Sequence, residues 1–182
     1  MYKNILAFDS TNSYTGSIKD HATELVASFV KAQEHIDGLV LASTGNMGAS
    51  EAAGMTIIEK KAHIFLPEST PQWKIAKIKK YGGKVHVVKG NYDQAVLQAR
   101  NFVQSNKKLI YGGETVLRLC GNAFIAKIIV DLLEDYPDFI FIPVGDGAQY
   151  YGFVVGFTSL IEKGYLSRAK RLPRLIGVQV DG

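Results

Sequence analysis

The feature that most narrows the fold of this chain is an alternation. Short apolar runs, closed by glycine or proline, give way repeatedly to longer stretches of helical period. "NILAF" (4–8), "GLVLAS" (38–43), "AHIFLP" (62–67), "KVHVVKG" (84–90), "DFIFIPVGDG" (138–147) and "RLIGVQV" (174–180) read as strands. Between them, helices are predicted over 17–35, 46–60, 91–105, 120–134 and 148–163, with one more in "PQWKIAKIKKYGG", opened by Pro71 and stopped by Gly82 and Gly83. Strands that alternate with helices build βαβ units. The expectation is therefore an α/β fold with open, twisted, mostly parallel sheets and helices on both faces. Such sheets take ligands beyond the carboxyl ends of their strands, where loops lead into helix N-termini. The strand-to-helix loops are thus where function is to be sought.

Composition sets the outer bounds. At 182 residues, 47% hydrophobic and 21% charged, the chain suits one well-buried domain or two small lobes. Around 107 to 120, "NKKLIYGGETVLRLCGN" (106–122) has no clear period. We place a break there, between a smaller lobe (1–110) and part of a larger one (111–182). The net charge of +4 is mild. The basic cluster "KIAKIKK" carries an apolar stripe at Ile75 and Ile78, as a solvated helix face does, so nucleic acid is not expected as a partner. Apolar runs are far too short to span a bilayer, and no basic-then-apolar leader opens the sequence. The lone Cys120 excludes an internal disulfide and suits a reducing compartment, so a cytoplasmic protein is expected. No metal ligand set is assigned.

Three loops hold residues of chemical interest. In "NSYTGSIKD" (12–20), Lys19 stands where a loop becomes a helix, either as a surface residue or as an amine with a chemical partner. In "LASTGNMGAS" (41–50), Ser43, Thr44, Gly45 and Asn46 turn from a strand into a helix rich in small residues. Unpaired N–H groups at such a start attract anions, although a capped, closely packed helix would look the same. In "FIPVGDGAQ" (141–149), a glycine turn again precedes a helix. There Asp146 would repel a phosphate unless it points away or caps the helix. An amine, an amide and an anion cradle are together the parts that hold pyridoxal phosphate.

These segments, in this order, resemble threonine synthase and its relatives among the pyridoxal-phosphate enzymes of the tryptophan synthase β fold. "TGSIKD" is similar to the family's lysine motif, "ASTGNMGAS" to its asparagine loop, "PVGDGA" to its phosphate loop, and "RLPRLIGVQVDG" to the strand that follows. The resemblance implies that Lys19 forms the Schiff base with the cofactor aldehyde and that Asn46 bonds the ring hydroxyl. It gives the substrate carboxylate to Ser43, Thr44, Gly45 and Met47, and the cofactor phosphate to Gly145, Asp146, Gly147, Ala148 and Gln149. The implied activity is that of a lyase acting on a small amino acid by β- or γ-elimination or replacement, with O-phosphohomoserine converted to threonine as the leading form. A homodimer or a complementing chain is the implied assembly.

Departures from the family pattern are specific. Ile18 stands for Phe, His21 for Arg and Met47 for Thr, and Cys120, Ala123 and Phe124 stand where Glu-Gly-x-Lys-Thr is common. Family enzymes also extend beyond this sequence at both ends, so the form expected is incomplete: a fragment, a split subunit or a shortened homologue. Two functional readings stay open. One is a catalytic lyase. The other is a non-catalytic homologue that binds a ligand or partner.

Overall fold

The computed structural model describes residues 5–113, 115–133, 137–166 and 171–179. They fall into two compact units, Ser10–Thr115 and Met1–Asp9 with Val116–Gly182. Each is an α/β layer structure, and all strand pairings are parallel.

The unit from Ser10 to Thr115 runs α1 (Lys19–Ala32), β1 (Gly38–Ala42), α2 (Asn46–Ile57), β2 (Lys61–Pro67), α3 (Gln72–Lys80), β3 (Lys84–Val88), α4 (Tyr92–Gln104) and β4 (Leu109–Tyr111). Its sheet has the order β3-β2-β1-β4. β1 lies at the centre and is buried along its whole length, which is why "GLVLA" is apolar throughout and shows no alternation. Successive side chains still divide between two faces. Val40, Ala42 and Phe65 meet Ala95 and Ala99 of α4 on one face. On the other, α2 comes so close that a Cβ at Gly48 would stand 3.1 Å from Ile64 and 3.3 Å from Ile78. Small residues along α2 permit that approach.

The boundaries have local causes. Pro71 stands just ahead of α3, where its missing N–H loses nothing. Gly82, at φ +86°, ends α3 in the left-handed conformation, and Gly83 N–H returns to Ile78 O at 3.1 Å. Asn91 and Gln94 close a capping box on α4. Two expectations are corrected. Residues 5–8 of the predicted first strand are not a strand. The stretch without clear period contains β4 and the first turn of the next helix. A three-residue strand leaves no readable alternation, and it forms because β1 offers it a partner.

The α4 face of this sheet also holds an imidazole pair. His63 Nδ1 and His86 Nε2 are 3.0 Å apart, and the rings lie among Phe65 and Phe102. Burial, His86, Lys84 and Lys61 together lower the His63 pKa to about 4, while burial and Lys84 lower that of His86. Because the folded state holds these rings neutral, the unfolded chain binds more protons below its ordinary pKa of about 6.5. Their contribution to stability is complete above that value and is lost as pH falls from there towards 4. We expect the denaturation midpoint to drop between pH 7 and 5 and the drop to shrink in His63→Phe; equal pH slopes for the two proteins would contradict this.

The other unit carries α5 (Val116–Leu133), β5 (Phe139–Pro143), α6 (Ala148–Glu162) and β6 (Arg174–Val178). β5 and β6 pair in parallel from Phe139↔Arg174 to Pro143↔Val178. α5 and α6 pack backbone to backbone. A Cβ at Gly152 would stand 2.4 Å from Asn122 Cβ, and one at Gly156 would stand 2.3 Å from the Ala123 carbonyl oxygen. Among the described residues, no helix is long and apolar enough to cross a membrane.

Candidate functional site

The lysine loop is built around a carboxylate. Asp20 is buried and receives Ser13 Oγ at 2.8 Å, Thr15 N–H at 2.6 Å, Thr15 Oγ1 at 2.7 Å and Ser50 Oγ at 2.6 Å. Burial opposes the charge, but the hydrogen bonds from Ser50, Thr15 and Ser13 outweigh it and hold the carboxyl below its usual range. The turn at Gly16, with φ +75°, lets residues 13–17 curl over this acceptor. Ser13 Oγ also accepts Ser17 N–H at 3.0 Å, and Ser17 Oγ accepts Lys19 N–H at 3.3 Å. Lys19 is thus the first residue of a helix whose entry is fixed on every side, and its own side chain is half-buried.

Ser50 joins that loop to α2, and Thr23 adds a contact to Ser50 at 2.8 Å. Asn46 and Ser50 are four apart on α2, hence on one face of it. The lysine loop and the asparagine loop are therefore tied together through Asp20 and Ser50. Sequence reasoning passed over this tie. Its one local signal was the set of hydroxyls at 13 and 15 ahead of Asp20; Ser50 gave none.

In the asparagine loop, Ser43 follows the carboxyl end of β1 and its N–H bonds Phe65 O at 3.0 Å. Its Oγ accepts Gly48 N–H at 3.0 Å and Gly45 N–H at 3.4 Å. The Ser43 hydroxyl thus shapes the loop from within. Thr44, Gly45 and Met47 are half-buried, and Asn46 and Met47 open the first turn of α2, where a helix provides no acceptor for its N–H groups. Asn46 is exposed, and its Oδ1 accepts Lys77 Nζ of α3 at 3.1 Å. Lys77 was not among the residues the sequence singled out.

The glycine turn belongs to the other unit. It leaves β5 through Val144 and enters α6 at Ala148, with Gly147 at φ +80°. A Cβ at Gly145 or Gly147 would meet nothing within 4 Å, so the backbone here is open to an incoming group. Asp146 Oδ1 accepts Ala148 N–H at 3.1 Å. Gly147 is the N-cap, and Asp146, one residue outside it, closes over the first N–H of the helix and so engages one donor of the cradle. Gln149 is buried.

The residues fit pyridoxal phosphate in kind. In one unit Lys19 supplies an amine on a fixed helix start and Asn46 an amide at the start of α2, which the Asp20–Ser50 bond ties to the lysine loop; in the other, residues 145–149 supply an open glycine turn at a helix N-terminus.

Comparison with known proteins points to the same cofactor. The family profile described as pyridoxal-phosphate dependent enzyme matches residues 4–182. A threonine synthase from Bacillus sp. (strain ULM1) is 32% identical over 171 residues, covering 92% of this chain and 47% of that protein. One from Methanocaldococcus jannaschii is 34% identical over 173 residues, covering 92% and 41%. This chain thus spans somewhat under half the length of these relatives. Among solved structures, threonine deaminase isoform 2 from Solanum lycopersicum aligns with a TM-score of 0.79 at 24% identity, over 96% of this chain and 48% of that one. Maize serine racemase aligns with 0.78 at 15%, over 92% and 48%. At those identities the structures speak for the fold alone.

Proposed function

The chain belongs to the pyridoxal-phosphate dependent enzyme family, and on that premise we propose that it serves a lyase acting on a small amino acid, with threonine synthase-like replacement at O-phosphohomoserine as the specific form. The observation that carries this reading is the Asp20 network, which fixes Lys19 at a helix start and ties it to the Asn46 loop. When bound, the cofactor would supply an electron sink for chemistry at the substrate α-carbon. The chain's own residues do the rest. Lys19 would hold the cofactor through its aldehyde, and its amine would serve as the base that moves the substrate α-carbon proton. Asn46 would hydrogen-bond the ring hydroxyl. Thr44 and the N–H groups opening α2 orient the substrate carboxylate, in a loop whose shape Ser43 holds. Residues 145–149 would hold the cofactor phosphate at the start of α6.

A second reading is a homologue that binds the cofactor or a partner without turnover. The Asp146 cap favours it, because a carboxylate at the cradle weakens the hold on a dianion.

Absorbance separates the two. Mixed with pyridoxal phosphate, the protein is expected to show a visible imine band that Lys19→Ala abolishes, and to release phosphate from O-phosphohomoserine. A band without phosphate release selects the second reading. No lysine-dependent band would overturn both the cofactor roles and the activity.

A further inference from the structure

Lys77 projects from α3 to the start of α2 and meets Asn46 there, across a sequence separation of 31 residues. An ammonium group has donors and no acceptor, so the Asn46 atom that it meets must be the carbonyl oxygen. The amide is planar. Once its Oδ1 is committed to α3, its Nδ2 hydrogens are turned the other way, as donors. Without Lys77, the amide could turn over and present its oxygen instead, because an exposed asparagine has no strong preference between the two orientations.

We propose that Lys77 is a positioning residue for Asn46: it selects the amide orientation that donates, and so makes the asparagine loop a receptor for an anionic oxygen. This rests on the reading of Asn46 as the partner of the cofactor ring hydroxyl. On that reading the ligand oxygen is held as the phenolate, which accepts from Nδ2 and gains from the nearby positive charge. Three other observations fit. α3 reaches α2 so closely that a Cβ built at Gly48 would stand 3.3 Å from Ile78, the residue after Lys77. Ile78 itself is buried and anchors that turn of α3, so Lys77 is carried on a fixed point of the helix. Lys77 is half-buried, whereas its neighbours Lys79 and Lys80 are exposed, as expected if its stem lies along α2.

The test compares wild type with Lys77→Met, which keeps the apolar stem, and Lys77→Arg, which keeps the donor. Pyridoxal phosphate is titrated into each, and both the midpoint and the wavelength of the lysine-dependent band are read. A lost charge-assisted contact at an exposed site corresponds to roughly fivefold weaker binding in Lys77→Met. The band is expected to move towards the shorter-wavelength form in which the ring oxygen is protonated, and Lys77→Arg is expected to restore the wild-type spectrum. A purely structural role would change the melting temperature without altering the spectrum. Side-chain amide resonances of Asn46 in cofactor-free protein give a second readout: they should shift in Lys77→Met and not in Lys79→Met. Wild-type spectrum and affinity in Lys77→Met, or an unmoved Asn46 amide, overturns the proposal while leaving the cofactor reading intact. Absence of the band from wild type removes both.

Discussion

Asp20→Ala is expected to destabilise the protein by about 3 kcal/mol and to abolish the lysine-dependent cofactor band even where the fold persists. The substitution takes the acceptor from four donors: Thr15 N–H and Thr15 Oγ1 are left facing a gap, while Ser13 Oγ can fall back on Ser10 O and Ser50 Oγ on Thr23 Oγ1. A hydrogen bond to a charged group contributes roughly 1.5–3 kcal/mol, and a buried donor left unmet costs about 1–3 kcal/mol. The four are coupled and partly rescued by water, so the sum is far less than four such losses. Asp20→Asn keeps the shape but brings two donors to a site full of donors, and should fall between wild type and alanine. The carboxyl is held below its ordinary range, so its contribution is present above the unfolded carboxylate pKa and is lost as pH falls from there through the lowered folded one. Wild type should therefore lose stability in acid over a span that is absent from Asp20→Asn. Urea titrations at neutral and acid pH measure this. An Asp20→Ala midpoint equal to that of wild type would mean that the loop is held by something else.

Gly156→Val is expected to act on the other unit with similar force. The added atoms would enter at the Ala123 carbonyl oxygen and Ala126 Cβ, 2.3 Å and 2.8 Å from the first new carbon. Neither is the free end of a flexible side chain, so α5 and α6 must move apart. Overpacking of this kind costs about 1–3 kcal/mol and more where backbone has to shift. The consequence reaches function, because α6 begins at Ala148 and its N-terminus is the glycine turn. Loss of cofactor affinity should accompany the loss of stability. Val155→Ala, on the exposed side of the same helix, is the control and should change neither by much. Equal melting temperatures for Gly156→Val and wild type would show that the two helices can separate freely.

The two predictions differ in how far the sequence foretold them. The motif around Lys19 was readable, because a lysine among small polar residues at a loop-to-helix junction is unusual, and a family resemblance rests on it. The partner that fixes the motif was not readable, since Ser50 lies 30 residues away from Asp20. The same holds for Lys77, which looked like one more charge on a basic helix face. Helix and strand positions were mostly legible, because buried parallel strands are apolar throughout and helices carry their stop signals with them. β4 was missed for the opposite reason: three residues show no period, and only the neighbouring β1 makes them a strand.

Local chemistry along the chain thus determined the alternating α/β plan, the three loops that matter and the kind of ligand they suit, because backbone turns, caps and apolar periods are encoded by residues a few positions apart. The tertiary structure alone decided which polar groups those loops meet across the fold: Asp20 with Ser50, and Asn46 with Lys77. Hydrogen bonds are short-ranged and directional, so partners distant in sequence are settled only when packing brings helices and strands within reach of one another.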